Sequence, residues 1–372
     1  MAGQIQGIFK EKFSPFLTAK LEEARRTQGK DSVIARVIEQ QYLKNPLEDM
    51  APSDDERRRH YEADMHIMYE GKQLKGLERL YRRVVLIEPT TVCAAHCRWC
   101  LRGQYPIMSL SEEELETIAR YCGDKQVSSE VREVLVTGGD PFMIPDRLDF
   151  LIDSLVKYAP NIQIVRIGSR VPIHDPERVN DALLHALRKR GRLRIELGTH
   201  VNHATELFPE VKAAYQRLRD NGVTIYNQSV LLKGVNDTAE ELIELFDELR
   251  YVGIETHYLF HCIPMRGMNH HRTSLEKGLR LIREITSCGD ISGRCKPMFT
   301  AMTDLGKITL YDGVILKREG NRVLLQSHYS FADRTKWNPL WKLPEAASVD
   351  KDGYMRVWYL DGAEDAGNGA KK

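Results

Sequence analysis

The pattern of apolar and polar positions divides the 372-residue chain into a few stretches of different character. Residues 1–78 are mostly polar, with apolar residues at helical spacing, which predicts an N-terminal helical extension. Residues 79–296 alternate short strand-like runs with amphipathic segments, as expected of one α/β domain. Residues 297–362 hold shorter strand-like pieces and predict a C-terminal α+β closing segment. The polar tail, residues 363–372, is expected to be disordered.

The central stretch contains six strand-like runs separated by helical segments. The runs are RVVLIEP, VREVLVTGG, IQIVRIGS, LRIELGTH, VTIYNQSVL and ETHYLFHCI. One helix is expected to begin after Ser111, and another to begin after Thr238 and end at Gly253. This alternation indicates parallel strands joined by right-handed crossovers. We therefore expect a partial (β/α)6 barrel of the TIM type, with its active site where the strands end.

Three cysteines follow the first of these runs directly. Cys93, Cys97 and Cys100 have the spacing C-x3-C-x2-C. Cysteine thiolates normally hold iron–sulfur clusters, and three of them leave one iron of a [4Fe–4S] cube open to a small molecule. A zinc site would need a fourth ligand, for which His96 is the nearby candidate, and a disulfide would leave one thiol over. The spacing favours the cluster, with zinc or structural thiols as the alternatives.

Composition narrows the classes of function. The formal net charge is +1 and no polybasic tract dominates, which argues against a nucleic-acid surface or an acidic-membrane anchor. No apolar run approaches the roughly 18 residues of a transmembrane helix, and the N-terminus does not resemble a signal peptide. Seven cysteines, an odd number, fit a reducing compartment. We expect a cytoplasmic protein that acts on a small molecule.

Further motifs indicate a family. CRWCLRGQ, VLVTGGDP, IVRIGSRVP, THVNH and YNQSVLLKGVND occur in this order within residues 75–330. Together they resemble the lysine 2,3-aminomutase family of the radical S-adenosylmethionine (SAM) superfamily. The resemblance implies a [4Fe–4S] cluster, SAM and pyridoxal 5′-phosphate (PLP) as cofactors. It also implies an amino-acid substrate, an electron donor such as a flavodoxin or ferredoxin, and a homo-oligomer.

The same resemblance implies the reaction. An electron from the cluster cleaves SAM, and the resulting 5′-deoxyadenosyl radical removes a hydrogen from the substrate. The amino group of an α-amino acid then moves from C2 to C3.

The resemblance assigns SAM to residues after the second, third and fourth strands. These are Gly138, Gly139, Asp140, Ser169 and His200. Glycines allow a backbone to lie close to a ligand, and exposed main-chain groups can hold an ammonium group. A plain tight turn at the glycines is the alternative.

The resemblance implies that PLP is bound by residues from the start of the central stretch, from its fifth strand and from the segment after it. Arg79, Arg83, Asn227 and Gln228 would form a phosphate cradle. Lys307, in DLGKITL, has the place of the family's catalytic PLP lysine. Here the glycine run before that lysine is shortened and keeps one glycine where the family has four. Surface arginines and an exposed strand lysine are therefore the alternatives.

The substrate residues depart from the lysine-specific pattern. Arg102 matches the arginine that binds the substrate carboxylate. The family's two aspartates for the distal ammonium group fall at Ile263 and near Met302, although another alignment would bring Asp304 there. An isoleucine cannot compensate a buried ammonium group, so we expect an amino acid other than lysine. The family's C-terminal zinc cysteines are also missing, which leaves the mode of oligomerisation open.

Two other functions fit the same residues. The first is a PLP-independent radical SAM enzyme of this lineage that carries out epimerisation, elimination or oxidation. The second is an iron–sulfur scaffold or sensor, which would form no 5′-deoxyadenosine from SAM.

Overall fold

A computed structural model describes residues 10–49, 67–102 and 108–363. Its α-helices are α1 (Pro15–Thr27), α2 (Val33–Tyr42), α3 (Glu112–Gly123), α4 (Pro145–Tyr158), α5 (Val171–His174), α6 (Asp181–Ala186), α7 (Pro209–Asp220), α8 (Ala239–Val252), α9 (Leu275–Ser287) and α10 (Phe331–Trp337). In the part of the chain that is described, none of these helices has the length and apolar character needed to cross a bilayer.

The strands form one large and two small sheets. They are β1 (Ile67–Tyr69), β2 (Lys72–Leu74), β3 (Leu77–Glu78), β4 (Val84–Thr90), β5 (Glu133–Gly138), β6 (Ile164–Gly168), β7 (Arg194–Thr199), β8 (Thr224–Leu231), β9 (Glu255–His261), β10 (Met298–Thr303), β11 (Gly306–Thr309), β12 (Ile315–Glu319), β13 (Arg322–Ser330), β14 (Ala347–Val349) and β15 (Tyr354–Leu360).

The large sheet is the expected partial barrel. Its strand order is β11-β10-β9-β8-β7-β6-β5-β4-β3, and strands β4 to β10 are parallel. The six predicted runs are β4 to β9, and a helix follows each of them in the chain. The predicted fold class is confirmed.

Local sequence sets the helix ends. Ser111 forms a capping box with Glu114 at the start of α3, since each side chain bonds the other's backbone N–H. Thr238 caps α8 by accepting from the Glu241 N–H at 3.3 Å. Gly253 ends α8 at φ +78°, a left-handed conformation that suits glycine. These predicted ends are confirmed.

Alternation along the strands separates the core from the barrel interior. On β5, Val134 and Val136 are fully buried, while Leu135 and Thr137 on the other face line a cavity. Because successive side chains point to opposite faces, one face packs on the helices and the other is left for a ligand. Burying each large apolar side chain contributes about 1.5–3 kcal/mol to the free energy of folding. The packed helix-facing side therefore stabilises the fold although the other face of the sheet lines a cavity.

The N-terminal stretch is not helical throughout, which corrects the prediction for residues 67–78. Strands β1 and β2 form a hairpin around Glu70 and Gly71, whose φ angles are +50° and +76°. Two positive φ angles in a two-residue turn favour a tight hairpin over a helix. Strand β3 then pairs with β4 at the edge of the barrel sheet.

The barrel sheet also extends past residue 296. Strand β10 pairs in parallel with β9, and β11 returns antiparallel to β10. Lys307 therefore lies on an edge strand of the barrel sheet. The later strands form a separate sheet in the order β12-β13-β15-β14. Most of the tail predicted to be disordered, residues 364–372, lies outside the described residues.

Candidate active site

A cavity of about 190 Å³ opens inside the barrel. Its wall includes apolar side chains of β4 and β5 together with Trp99 and Phe260. Its polar or substrate-candidate lining residues are Glu78, Tyr81, Arg102, Thr137, Arg166, His200, Gln228, His261, Ile263 and Lys307. A largely apolar cavity with a few convergent polar groups is the usual form of a small-molecule site.

The three cysteines of the loop after β4 lie close enough for their charges to interact. Burial raises the pKa of Cys93 and Cys97, and that of Cys100 to about 11. Their thiols are therefore protonated until a metal centre displaces the protons. His96, the candidate fourth zinc ligand, has its Nδ1 2.7 Å from the Lys10 carbonyl oxygen. The donor set fits a cluster with one open iron better than tetrahedral zinc.

The N-terminal segment, residues 10–49, holds this loop in place. The Arg98 N–H donates to the Gln41 carbonyl oxygen at 2.8 Å, and the Lys12 ammonium donates to the Cys93 carbonyl oxygen at 2.6 Å. The Arg98 guanidinium forms a buried ion pair with Glu48, its Nε lying 2.9 Å from Oε1. The cysteine loop is therefore bonded to the N-terminal segment on one side and to the barrel on the other.

The glycines at the end of β5 lie against the start of the cysteine loop. The Gly139 N–H donates to the Thr90 carbonyl oxygen at 2.7 Å, and the Asp140 N–H donates to that of Val92 at 2.8 Å. A Cβ on Gly139 would lie 2.3 Å from the Thr91 carbonyl carbon. The glycines are thus required for a close approach between two backbones, whether or not SAM also binds there.

Asp140 and Ser169 organise the turn that follows β6. The Asp140 carboxylate accepts the N–H groups of Arg170 at 2.8 Å and Val171 at 3.0 Å. Ser169 Oγ accepts the Val171 N–H at 3.1 Å. Burial raises the pKa of Asp140 to about 6, and these hydrogen bonds oppose the rise. Both side chains are within the turn, so their part in SAM binding stays a prediction.

Lys307 points into the cavity, which disagrees with an exposed strand lysine. Its ammonium lies 5.1 Å from the centroid of the Tyr258 ring and 5.4 Å from that of Phe260. Burial, and then the nearby Arg166, lower its pKa to about 7. A lysine with this pKa is partly neutral at physiological pH and can attack a carbonyl group.

The phosphate role of Arg79 and Arg83 stays a prediction. Arg79 is buried away from the cavity and donates to the Tyr121 hydroxyl at 2.9 Å and the Val127 carbonyl oxygen at 2.7 Å. Arg83 is exposed and precedes β4, at the end opposite the cysteine loop. Neither belongs to the cavity lining.

Asn227 and Gln228 are adjacent but do different things. The Asn227 amide accepts the Val201 N–H at 2.7 Å and donates to the Val201 carbonyl oxygen at 3.0 Å and to Ser229 Oγ at 2.7 Å. These bonds tie the end of β7 to β8, and the ligand role of Asn227 stays a prediction. Gln228 lines the cavity.

The substrate candidates Arg102 and Ile263 and the SAM candidate His200 share this cavity. Arg102 contacts the buried Glu88 and lies 3.8 Å from Glu78. Ile263 packs in an apolar cluster. His200 stacks near Trp99 with 5.8 Å between ring centroids, and burial lowers the pKa of His200 to about 3, so the imidazole is neutral.

Comparison with known proteins identifies the family. A family model described as the radical SAM superfamily matches residues 87–249. A provisionally named L-lysine 2,3-aminomutase of Aquifex aeolicus is 36% identical over 269 residues, which cover 69% of this chain and 70% of that protein. This chain belongs to the lysine 2,3-aminomutase family. The family's cofactors include a [4Fe–4S] cluster and SAM.

Other relatives of this aminomutase family agree. The L-lysine 2,3-aminomutase of Clostridium subterminale is 33% identical over 255 residues, or 68% of this chain and 60% of that enzyme. The chain thus spans about 60–70% of the length of these relatives. A radical SAM methyltransferase structure from Sphaerobacter thermophilus has a TM-score of 0.44 and 18% identity, covering 59% of this chain and 71% of that one.

The sequence analysis assigned no role to two arginines of the motif IVRIGSRVP, Arg166 and Arg170, which both lie at the site. Arg166 lies on β6, lines the cavity and pairs with Glu133 at 2.7 Å. Arg170 follows the same strand and contacts Cys97. A charged residue between Val165 and Ile167, which are both buried, was the available signal for Arg166.

Proposed function

We propose that this protein is a PLP-dependent radical SAM 2,3-aminomutase for an α-amino acid with an uncharged side chain. One observation carries the proposal. Lys307, with its pKa lowered to about 7, lines the same cavity as Arg102, beside the cysteine loop. A nucleophilic amine, a carboxylate-binding group and a cluster loop are the parts that this reaction needs.

The chain's own residues have separable tasks in this proposal. When bound, SAM and the cluster supply the hydrogen-abstracting radical, and PLP supplies the carbonyl group that holds the substrate nitrogen. Lys307 presents a neutral amine toward that carbonyl group. Arg166 and Gln228 offer hydrogen-bond donors to an anionic group in the cavity. The apolar walls exclude water from the reacting atoms.

The choice of substrate rests on one apolar part of the cavity. Ile263 and Met302 line it, and Ile263 packs with the fully buried Met265 and Met268. Placing a distal ammonium group among these side chains would remove it from water without a compensating carboxylate, at a cost of several kcal/mol. An aliphatic or aromatic side chain would fit there without that cost.

The test is anaerobic incubation of the reconstituted protein with PLP, SAM, a strong reductant and a panel of amino acids. Mass spectrometry would quantify 5′-deoxyadenosine and β-amino products. We expect β-amino products from uncharged amino acids, in greater yield than from lysine. Lys307→Ala should lose both the products and the borohydride-sensitive visible band of PLP, while keeping the cluster absorbance.

Each alternative gives a different result. Formation of 5′-deoxyadenosine without β-amino products or bound PLP would indicate another hydrogen-abstraction reaction. Lysine as the best substrate would contradict the argument from Ile263. No 5′-deoxyadenosine with any amino acid would favour a scaffold or sensor.

A further inference from the structure

A guanidinium group lies against the middle cysteine of the loop. Arg170 Nη1 donates to Cys97 Sγ at 3.0 Å. The Arg170 side chain is only 7% exposed. Cys97 is one of the three cysteines that would hold the cluster, so this charged donor would neighbour a ligand sulfur. Such neighbours tune a metal centre without ligating it.

Surrounding residues fix the direction of this donor. Arg170 Nη2 donates to Glu206 Oε1 at 2.7 Å and to Gln41 Oε1 at 3.2 Å. Gln41 in turn donates to Glu206 at 3.1 Å, closing a small ring of hydrogen bonds. The guanidinium carbon lies 5.1 Å from the Trp99 ring centroid and 5.5 Å from that of Tyr42. The side chain therefore has little freedom to turn away from the sulfur.

Gln41 and Tyr42 belong to α2, so the N-terminal segment helps to build this environment. The Gln41 side chain is fully buried and also accepts from the Asn202 amide at 2.9 Å. Without α2, Arg170 would lose one of its two oxygen acceptors and one of its two aromatic neighbours. This gives the segment a role at the cluster that its sequence did not indicate.

We propose that Arg170 is a positioning residue that raises the reduction potential of the [4Fe–4S] cluster, and that Gln41 holds it in the orientation to do so. An external one-electron donor converts the [4Fe–4S]²⁺ cluster to [4Fe–4S]⁺, which adds one negative charge to the cluster and its thiolates. A hydrogen bond from a cation to a thiolate stabilises the more negative state more strongly.

Glu206 leaves the Nη1 donor of Arg170 on Cys97, because it pairs with Nη2. Its carboxylate pairs with Arg170 and also accepts the backbone N–H groups of Asn202 at 2.6 Å and His203 at 3.0 Å. The negative charge is therefore held by four donors, the Arg170 guanidinium, the Gln41 amide and these two N–H groups. The Nη1 donor stays directed at Cys97. Hydrogen bonds to the sulfurs are among the features that set the reduction potential of an iron–sulfur cluster.

The test is an anaerobic redox titration of the reconstituted, full-length holoprotein without substrate, followed by the electron paramagnetic resonance signal of the reduced cluster. Arg170→Gln removes the cation while keeping a polar side chain. We expect its ratio of reduced to oxidised cluster at a fixed potential to fall about tenfold, as for loss of one charge-assisted hydrogen bond. Arg170→Lys should restore part of this ratio, and Gln41→Ala should lower it by less than Arg170→Gln.

Arg190→Gln is the matched control. Arg190 is also buried, with a side chain 6% exposed, and pairs with Asp149 and Asp153. It precedes β7, at the opposite end of the barrel strands from the cysteine loop. Its loss should destabilise the fold without moving the potential.

An unchanged potential in Arg170→Gln with an intact cluster signal would overturn the proposal. So would weaker SAM binding without a change in potential, since Arg170 would then anchor the ligand instead. If Arg170→Gln does not retain a cluster, Arg170→Lys and Gln41→Ala decide the question. A potential below that of the wild type in both supports the proposal, and a wild-type potential in both refutes it.

Discussion

The charge state of Lys307 decides what this cavity can do. A lysine at its ordinary pKa of 10.5 is protonated at neutral pH and is a poor nucleophile. Removal from water disfavours the ammonium form, and the positive charge of Arg166 disfavours it further. Tyr258 and Phe260 provide the apolar surroundings. The position of the lysine, more than its identity, therefore gives it reactivity.

We predict that reductive labelling of Lys307 by a small aldehyde follows pH with a midpoint near its pKa of about 7. Labelling should be low at lower pH, where the ammonium form dominates, and should approach its maximum above the midpoint. Peptide mass spectrometry would measure it. In Arg166→Gln the midpoint should move upward, because the repulsive charge is gone. A midpoint near 10.5 in the wild type would contradict the buried position of this lysine.

Sequence was informative at this scale where a role depends on residue type in a fixed order. The roles of the three cysteines and of Lys307 are predicted in that way. Which arginine reaches the cavity depends instead on where a strand begins and which face a residue occupies. Arg79 lies in the connection between β3 and β4, whereas Arg166 is within β6 on the interior face. Asn227 and Gln228 are likewise neighbours on β8, but Asn227 bonds to Val201 whereas Gln228 lines the cavity.

Among the elements, the end of β5 and the start of the cysteine loop depend on each other. Their backbones touch where Gly139 meets residues 90–92, and two main-chain hydrogen bonds join them. A side chain at Gly139 would have to displace backbone, not a flexible side-chain end. The strand therefore serves as a template for the cysteine loop.

We predict that Gly139→Ala lowers the iron and sulfide content after reconstitution and also lowers the free energy of unfolding. The added Cβ would push the cysteine loop away from its packed position. Gly289→Ala is the control, since a Cβ there meets nothing within 4 Å. Iron assay and urea denaturation would compare the two variants. Equal iron content and stability in both would show that the loop tolerates the displacement.

Some strands could not be predicted from the sequence, and the sheet membership of others could not be predicted either. Periodicity identified β4 to β9 because each is a long apolar run. The short strands β1 to β3 have too few residues to show a period, and the turn at Glu70 and Gly71 decides their structure. Strands β10 and β11 could be expected as strands, but their membership of the barrel sheet is a long-range pairing that local sequence does not contain.

At the scale of the whole molecule, the N-terminal segment is part of the barrel's structure. Glu48 and Arg98 form an ion pair whose side chains are 2% and 1% exposed. Arg98 lies between Cys97 and Cys100, so this pair joins the segment directly to the cysteine loop. A buried pair of this kind adds little net stability while intact, but losing one member leaves a charge without compensation.

We predict that Glu48→Ala lowers the free energy of unfolding by about 3–5 kcal/mol, because Arg98 would be buried without its carboxylate. Glu39→Ala is the control within the same segment. Glu39 pairs with Arg25, but their side chains are 32% and 42% exposed, so its loss should cost about 1 kcal/mol or less. Urea denaturation of both variants would measure this. Similar losses would mean that the segment is not anchored through Arg98.

The barrel sheet is open, and side chains span the gap between its two edges. Tyr81, which lies between β3 and β4, accepts the Lys307 N–H at 3.3 Å on β11, and Tyr329 donates to the Lys307 carbonyl oxygen at 2.6 Å. The phenol of Tyr81 thus joins the two edges of the sheet at Lys307. Rotating one ring gives up a hydrogen bond of about 1 kcal/mol, far less than separating two paired strands. Opening the gap between the two edges would therefore cost far less than unpairing a strand of the sheet.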